Sequence, residues 1–517
     1  MSTTMNTTKI TEAAARTVAG PPHEVRRFRA VLALARFEAR ELLFHLPVGA
    51  FLVMYLAWTA WQLFNGQEGM NDYPALQDVD RTTQTGSALL AMALLVCVNS
   101  TALRSRRRGL DEYYGTLPME PWRRTLAHAL SVVPYALLVA LVVTFEYTWA
   151  ALKPGAVGHG SVFELAVGPL TVLLSGITGV LLARLAPFRA AALILVVGVY
   201  ALLVLTAAGT GHAPWLYRLL PADPEIGGAP IPTDLLGRPA AWHALYLAGL
   251  TVLMLCAALL LSGGRTRAVR AVAFVALAAT VAGVAGQSPG DSAALTHARW
   301  TATVSPQKDQ KCVAKGTSTY CAFPEWSGRS ADWAEVVDRV QGLAGGSAAT
   351  ERLTVRQRVA ADGPLGADAA LDVSGRRGEV TVGTRWGGNR VPEFAVGVAS
   401  VLVAGTEKAA LTMCDARVVT MMWLTLGTDP APLDTFQRLR LDDSVIGSAV
   451  VLAPTGSISM SAHETDVVRE LLDRPHDTVA AQVKAHWKEL TSPKTSAAQA
   501  ARLLGVKVPE GADECAG

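Results

Sequence analysis

The sequence predicts an α-helical polytopic membrane domain of about seven transmembrane helices, followed by a soluble α+β domain. Three observations carry that class. Charged residues make up 17% of the 517 residues, against roughly 25% in an ordinary soluble chain, and the mean hydropathy is +0.29. The charge is unevenly spread: residues 1–286 hold 22 Lys/Arg and 16 Asp/Glu, residues 287–517 hold 24 and 27. Long charge-free apolar windows fall in the first part alone. At roughly 100–200 residues per domain, the length allows two or three units. A single soluble enzyme, a disordered chain, a collagen-like fibre and a disulfide-dense miniprotein are excluded. The expected division is a cytoplasmic tail with an amphipathic helix over 1–41, a membrane domain over 42–290 and an extracytoplasmic domain over 291–517.

Crossing a bilayer takes about 20 mostly apolar residues. Seven windows free of Asp, Glu, Lys and Arg meet this need: 42–67, 82–103, 125–145, 165–183, 190–217, 239–264 and 271–290. The second opens on polar residues, so its apolar part is 88–103. The fifth is longer than a span, with a loop-like tail around Pro214. The seventh, rich in Ala, Val and Gly, is the weakest.

Basic loops set the orientation. With the N-terminus in the cytoplasm, the inner segments 1–41, 104–124, 184–189 and 263–270 carry 18 Lys/Arg, and the outer loops 65–87, 150–162 and 210–238 carry 4. That ratio favours a plasma-membrane protein with a cytoplasmic N-terminus. Seven spans then place 291–517 outside; without the seventh the same domain is cytoplasmic. Residues 1–24 are polar and lack an apolar region followed by a small-residue cleavage site, so the first span is expected to act as a signal anchor.

Ahead of the first window, Phe28, Val31, Leu32, Ala35, Ala39 and Leu42 share one stripe at 100° per residue, and Arg26, Arg29, Arg36 and Arg40 form the adjacent face. This is the pattern of an interfacial helix whose arginines meet anionic headgroups of the lipid bilayer. An ordinary basic flank of the first span is the alternative. Both readings put the segment at the cytoplasmic surface.

The longest inner loop, 104–124, mixes basic charge with three acids, three aromatics and two prolines before its final basic pair. Asp111, Glu112, Tyr113 and Tyr114 suit a short helix ending near Gly115, stopped by Pro118 and Pro121. A short helix with aromatic anchors fits docking to another protein. A purely topogenic basic loop is the alternative.

The stretch RRRGLDEYYGTLPMEPWRRTLAHALS, preceded by the amphipathic helix and two windows, resembles the membrane (permease) subunit of a type-2 ABC transporter. The resemblance covers about 26–152, with the general layout reaching about 264. It implies that 110–121 is a coupling helix, with Leu110, Asp111, Glu112, Tyr113, Tyr114, Leu117 and Pro118 meeting a separate ABC ATPase subunit. It further implies a six-span core and a homodimer or heterodimer with a second permease. The seventh window and the large C-terminal domain depart from the family. The segment Leu261-Ser262-Gly263-Gly264-Arg265 imitates an ATPase signature motif, but it closes a membrane window. No Gly-x4-Gly-Lys-Ser/Thr loop occurs in the chain, so the imitation is rejected. No cofactor is expected here; ATP and Mg belong to the partner ATPase.

Two acids stand near the expected outer ends of spans three and four. Glu146 and Glu164 are candidates for a translocation path, or else solvated rim residues. In the C-terminal domain, Cys312 and Cys321 bracket a segment with Gly316 available for a turn, which suits a disulfide-closed hairpin in an oxidising compartment. Free thiols are the alternative, and the pairing of Cys414 and Cys515 stays open. Cys-x-x-Cys is absent and no His lies near, so no metal site is expected. Segments 351–360 and 379–386 read as strands, 392–426 and 463–504 as mainly helical. Neither His463-Glu464 nor His23-Glu24 extends to His-Glu-x-x-His, and Gly-x-Ser-x-Gly is missing, so no catalytic residue is assigned. Trp326, Trp333, Trp386, Trp423 and Trp487 fit core packing. Neither half is basic enough for nucleic acid.

The leading expectation is therefore the permease of an ATP-driven exporter, not itself an enzyme. Its rivals are a membrane-anchored sensor or assembly protein with an extracellular ligand-binding domain, and a membrane enzyme with an unfamiliar motif. The topology is directly checkable. A cysteine introduced at Ser292 should react with an impermeant thiol reagent only from outside, and one at Ser105 only from the cytoplasm. Cytoplasmic labelling at Ser292 removes the seventh span and the exported domain together.

Overall fold

The computed structural model describes residues 23–65, 69–104, 109, 119–188, 190–207, 218–222, 229–237, 239–288, 291–362, 371–440 and 449–507. Among the described residues, the first part is mainly α-helical. Helix α1 (His23–Phe44) leads into α2 (Leu46–Asn65), α3 (Leu76–Ala102), α4 (Pro121–Leu130), α5 (Val133–Ala151), α6 (Val162–Leu185), α7 (Ala191–Ala207), α8 (Ala240–Leu261) and α9 (Arg267–Gln287). Counting α4 and α5 as one segment, six segments among the described residues are long and apolar enough to cross a membrane: α2, α3, α4–α5, α6, α8 and α9. Large exposed apolar side chains crowd this part. Beyond Val304, the described ones are Val313 and Leu433 alone. The chain is thus a helical membrane protein with a second, ordinary globular part.

Two windows came out differently from their sequence pattern. Of the fifth window, 17 residues are helical in α7, and its tail around Pro214 lies outside the described residues. The second begins earlier than its apolar part, because α3 starts at Leu76 and buries Gln77, Asp80, Thr83, Gln84 and Ser87. These face other helices instead of lipid, so their polar groups find partners inside the protein. Close packing makes this possible. A Cβ on Gly179 of α6 would lie 2.5 Å from the Leu95 carbonyl oxygen of α3, and Asn99 Nδ2 donates to the Gly179 carbonyl at 3.2 Å. Small residues and polar bonds are how apolar helices find one another in lipid.

The helices define two ends. At one, Arg184 donates to Thr125 Oγ1 at 2.8 Å, and Thr125 donates to Ser262 Oγ at 2.7 Å. At the other, His243 Nδ1 meets Gln287 Oε1 at 3.0 Å, and Arg218 reaches Asp291 at 3.6 Å. In sequence, α7 lies between Arg184 at the first end and Arg218 at the second.

After α9, α10 (Ala293–Val304) leads to the C-terminal part. Strands β1 (Lys311–Lys315), β2 (Ser318–Ala322), β3 (Thr354–Gln357) and β4 (Glu379–Val382) form one sheet in that order. The β1–β2 pair is antiparallel, β2–β3 and β3–β4 parallel. A parallel pair needs a crossover, supplied between β2 and β3 by α11 (Ser330–Leu343), which buries Trp333, Val336, Val337 and Val340 at helical spacing. Cys312 stands opposite Cys321, and the two are joined as a disulfide. Cys414 is also disulfide-bonded, while Cys97 and Cys256 are buried free thiols.

Helices α12 (Arg390–Ala404), α13 (Glu407–Ala410), α14 (Ala416–Leu426) and α15 (Pro432–Leu439) follow. Hairpin β5 (Ala449–Ala453) and β6 (Gly456–Met460) comes next, then α16 (Ala462–Leu472), α17 (His476–Ala485), α18 (Trp487–Leu490) and α19 (Ala497–Leu503). Nearly every residue of α14 is buried, and α12 is buried from Glu393 to Val403. Helices apolar on all sides sit inside a domain, and these two are its centre. Trp326, Trp333, Trp386 and Trp423 are buried there, as core packing requires. The β5–β6 hairpin had no counterpart in the sequence reading.

One buried carboxylate organises the sheet edge. Glu379 accepts from Arg356 Nε at 3.2 Å, Arg358 Nη2 at 2.9 Å and Ser374 Oγ at 2.9 Å. Burial alone would raise its pKa, but Ser374, Arg358 and Arg356 outweigh that and hold it below the usual value. Its stabilising charge is fully present above the ordinary value of 4.5 and is lost as pH falls through the depressed native value. Replacing Glu379 by Gln strands two arginines and should cost about 3 kcal/mol at neutral pH. Denaturant unfolding of the full chain should show that difference shrinking below pH 4.5.

Candidate functional site

The two parts of the protein meet at a polar clamp. The 3-10 helix Pro324–Arg329 carries both halves of it. Arg329 is 2% exposed. Its Nη1 donates to the Thr384 carbonyl at 2.8 Å. Its Nη2 donates to the carbonyl of Tyr73 at 2.5 Å, with those of Gly155 and Pro74 at 3.4 and 3.5 Å. Burial pushes its pKa down to about 10, against the pull of Asp332 and Tyr73, so the guanidinium stays charged at neutral pH. Glu325, on the same turn, accepts from Gln77 Nε2 of α3 at 3.1 Å and from the Thr233 backbone amide at 3.0 Å. One short helix therefore holds the loops that follow α2, α5 and α7.

The loops prepare for it. The Leu76 amide donates to Val157 and the Val157 amide to Pro74, at 2.9 and 3.0 Å, zipping two loops into one ledge. Ala75, Val157, Ile231 and Leu235 belong to the same apolar core as the C-terminal domain. Gly387 brings the domain closest. Its φ of +92° disfavours any side chain, and an added Cβ would lie 2.5 Å from the Gly69 carbonyl oxygen.

Beside the clamp lies a cavity of about 430 Å³, walled by the ends of α2, α3 and α5 and roofed by Thr384, Arg385 and Trp386. Glu146 lines it and is hydrogen-bonded to Thr59. Glu164 does not. It is 4% exposed and accepts from Gln84 Nε2 at 2.7 Å, one turn along α3 from Asp80, which accepts from the Ser161 amide at 2.7 Å. The two acids read as one path, or as solvated rim, are thus separated, and Glu164 is a buried acceptor. The signal was present: 77, 80, 84 and 87 place polar side chains along one face of α3.

The opposite end carries the interfacial pattern. In α1, Val31, Ala35 and Leu42 are buried, while Arg29, Arg36 and Arg40 are exposed. Phe28 is 56% exposed, so it turns away from the packed side of the stripe. The Arg26 side chain is outside the described residues. Glu38, missed in the sequence reading, is buried in the stripe. Burial raises its pKa, Arg104 opposes and Glu41 adds to the rise. Arg104 pairs with Glu41 at 2.5 Å and Glu38 at 3.8 Å. Leu110, Asp111, Glu112, Tyr113, Tyr114, Leu117 and Pro118 lie outside the described residues. Among the described residues, no cluster of three or more His, Cys, Asp or Glu side chains could hold a metal ion.

This fold and site define a polytopic helical membrane protein whose globular domain is clamped onto the loops at one end of its helices. No family model, curated protein or solved structure matches the chain.

The clamp makes a sharp expectation. Replacing Arg329 by Ala leaves buried carbonyls of two loops without a donor and should destabilise docking by about 3 kcal/mol. Limited proteolysis should then cut within 69–75 and 153–161, which wild type protects. Arg329→Lys should not restore protection, because one ammonium cannot span the guanidinium's fork of acceptors.

Proposed function

We propose that this chain is the membrane subunit of an ATP-driven exporter of the type-2 ABC class, working in the plasma membrane with separate ATPase subunits. The observation that carries the reading is the division of labour between the two ends. One end presents α1, its exposed arginines and the anchored start of the 105–120 connection; the other holds the globular domain. In this reading α7 is a further crossing, giving seven. The N-terminus is cytoplasmic and the C-terminal domain extracytoplasmic, which suits the disulfide of Cys312 with Cys321.

The ATPase, holding ATP and Mg, would dock on Leu110–Pro118 with Tyr113 and Tyr114 as anchors. Its closure would pull on Arg104, whose salt bridge to Glu41 ties the loop to α1. From there α3 runs to Gln77 and the clamp. The chain would act in a homodimer or heterodimer and carry out no bond chemistry of its own. A membrane-anchored sensor is the second reading, favoured by the same clamp, since a ligand-driven movement of the domain would reach α3 directly.

The test is copurification of an ATPase chain and its stimulated ATP hydrolysis. Truncating aromatic anchors typically costs about 2 kcal/mol or more of binding, so Tyr113→Ala with Tyr114→Ala should release or uncouple the ATPase while leaving the protein inserted. Wild-type levels of both in that variant sink the coupling assignment and favour the sensor.

A further inference from the structure

The cavity beside the clamp has a neighbour. A second hollow of about 360 Å³ runs between α2 and α5, walled by Leu56, Ala60, Phe64, Leu141 and Phe145. Thr59, Leu63 and Trp149 line both spaces, so the two adjoin across these three side chains. Both volumes fall within the roughly 300–1,000 Å³ of small-molecule sites. Their chemistry differs sharply. The outer hollow is apolar, and Phe64, Leu141 and Phe145 are exposed on the belt of large apolar side chains. The inner chamber is aromatic and charged.

The charge pattern selects the head of a ligand. The chamber's Lys153 already pairs with Asp72 at 2.9 Å, and Arg385 draws on Asp78. Glu146, by contrast, bonds to the neutral hydroxyl of Thr59, a residue that lines both hollows. Tyr55, Trp58 and Trp149 line the chamber with it, and Lys153 Nζ already stands 5.7 Å from the centre of the Trp149 ring. A carboxylate among aromatic faces is the recognition chemistry of an organic cation. An apolar trough leading to it is the chemistry of a hydrocarbon chain.

We propose that these adjoining hollows bind a single-chain amphipathic amine, its hydrocarbon chain in the trough between α2 and α5 and its ammonium against Glu146, beside Tyr55 and Trp58. The site goes beyond the export role and stands without it, since binding needs no ATPase; a sensor would use the same cleft.

The experiment uses the full chain in nanodiscs of zwitterionic lipid, with no ATPase present. Dodecylamine carrying a diazirine near the end of its chain is photolysed, and the labelled residues are mapped by mass spectrometry. Labelling is expected on the trough residues of α2 and α5. Excess dodecylamine should protect them about tenfold better than dodecanol or dodecanoic acid. Glu146→Gln should erase that preference while labelling by a photoreactive dodecanol is unchanged, which also reports that the variant is folded. Leu141→Trp, which fills the trough, should abolish labelling by both probes. Equal protection by amine, alcohol and acid overturns the proposal. So does labelling spread over other helices, or an amine preference that survives Glu146→Gln.

Discussion

The buried guanidinium of Arg329 is the contact on which the arrangement of the two parts depends. Docking a domain onto loops covers backbone carbonyls that water would otherwise satisfy, and each one left bare is costly. Arginine offers five donors in a fixed planar fork, enough to reach carbonyls in two loops and one in its own domain. No smaller or neutral side chain supplies that many. Among the described residues these two loops carry little regular structure, a 3-10 turn at Met70–Asp72 and one parallel bridge between Ala75 and Val157, so their shape is set by this contact as much as by the spans they join.

Glu325 extends the same logic to the third loop and, through Gln77, to α3. That helix is the structural rod of the molecule. It begins at the clamp and is packed through its middle against α6, with Gly179 permitting the approach. Two residues beyond its C-terminus, Arg104 pairs with Glu41 of α1. A polar bond at each end and close packing against α6 between them make α3 the element that joins the two ends of the molecule.

Legibility in the sequence followed the reach of each interaction. Spans α2, α6, α8 and α9 announced themselves because lipid imposes a long uninterrupted apolar run. The Cys312–Cys321 hairpin was visible because its pairing is local. The stripe of Val31, Ala35 and Leu42 obeyed helical spacing, but Glu38 sat unnoticed among them, since its acceptability depends on Arg104, distant in sequence. Arg329 and Glu325 gave no local sign at all; the hydrogen-bond partners of the clamp lie 55 to 256 residues away. The polar face of α3 was half legible. Its residues shortened the apolar window, yet their regular spacing marked a helix turned toward protein.

One further consequence concerns the order in which the molecule is made. Ala75, Val157, Ile231 and Leu235 share a core with residues from the C-terminal domain, and that domain is synthesised last. During translation the early helices enter the membrane while their loops still lack the surface that completes them. Until the ribosome has delivered Arg329 and the domain has reached the same face, the ledge of 73–75 and 155–157 carries apolar and polar groups meant for burial. Quality control of nascent membrane proteins acts on such unfinished surfaces. The clamp is in this sense a completion mark: only a chain synthesised past its final helices hides the loops it laid down at the start.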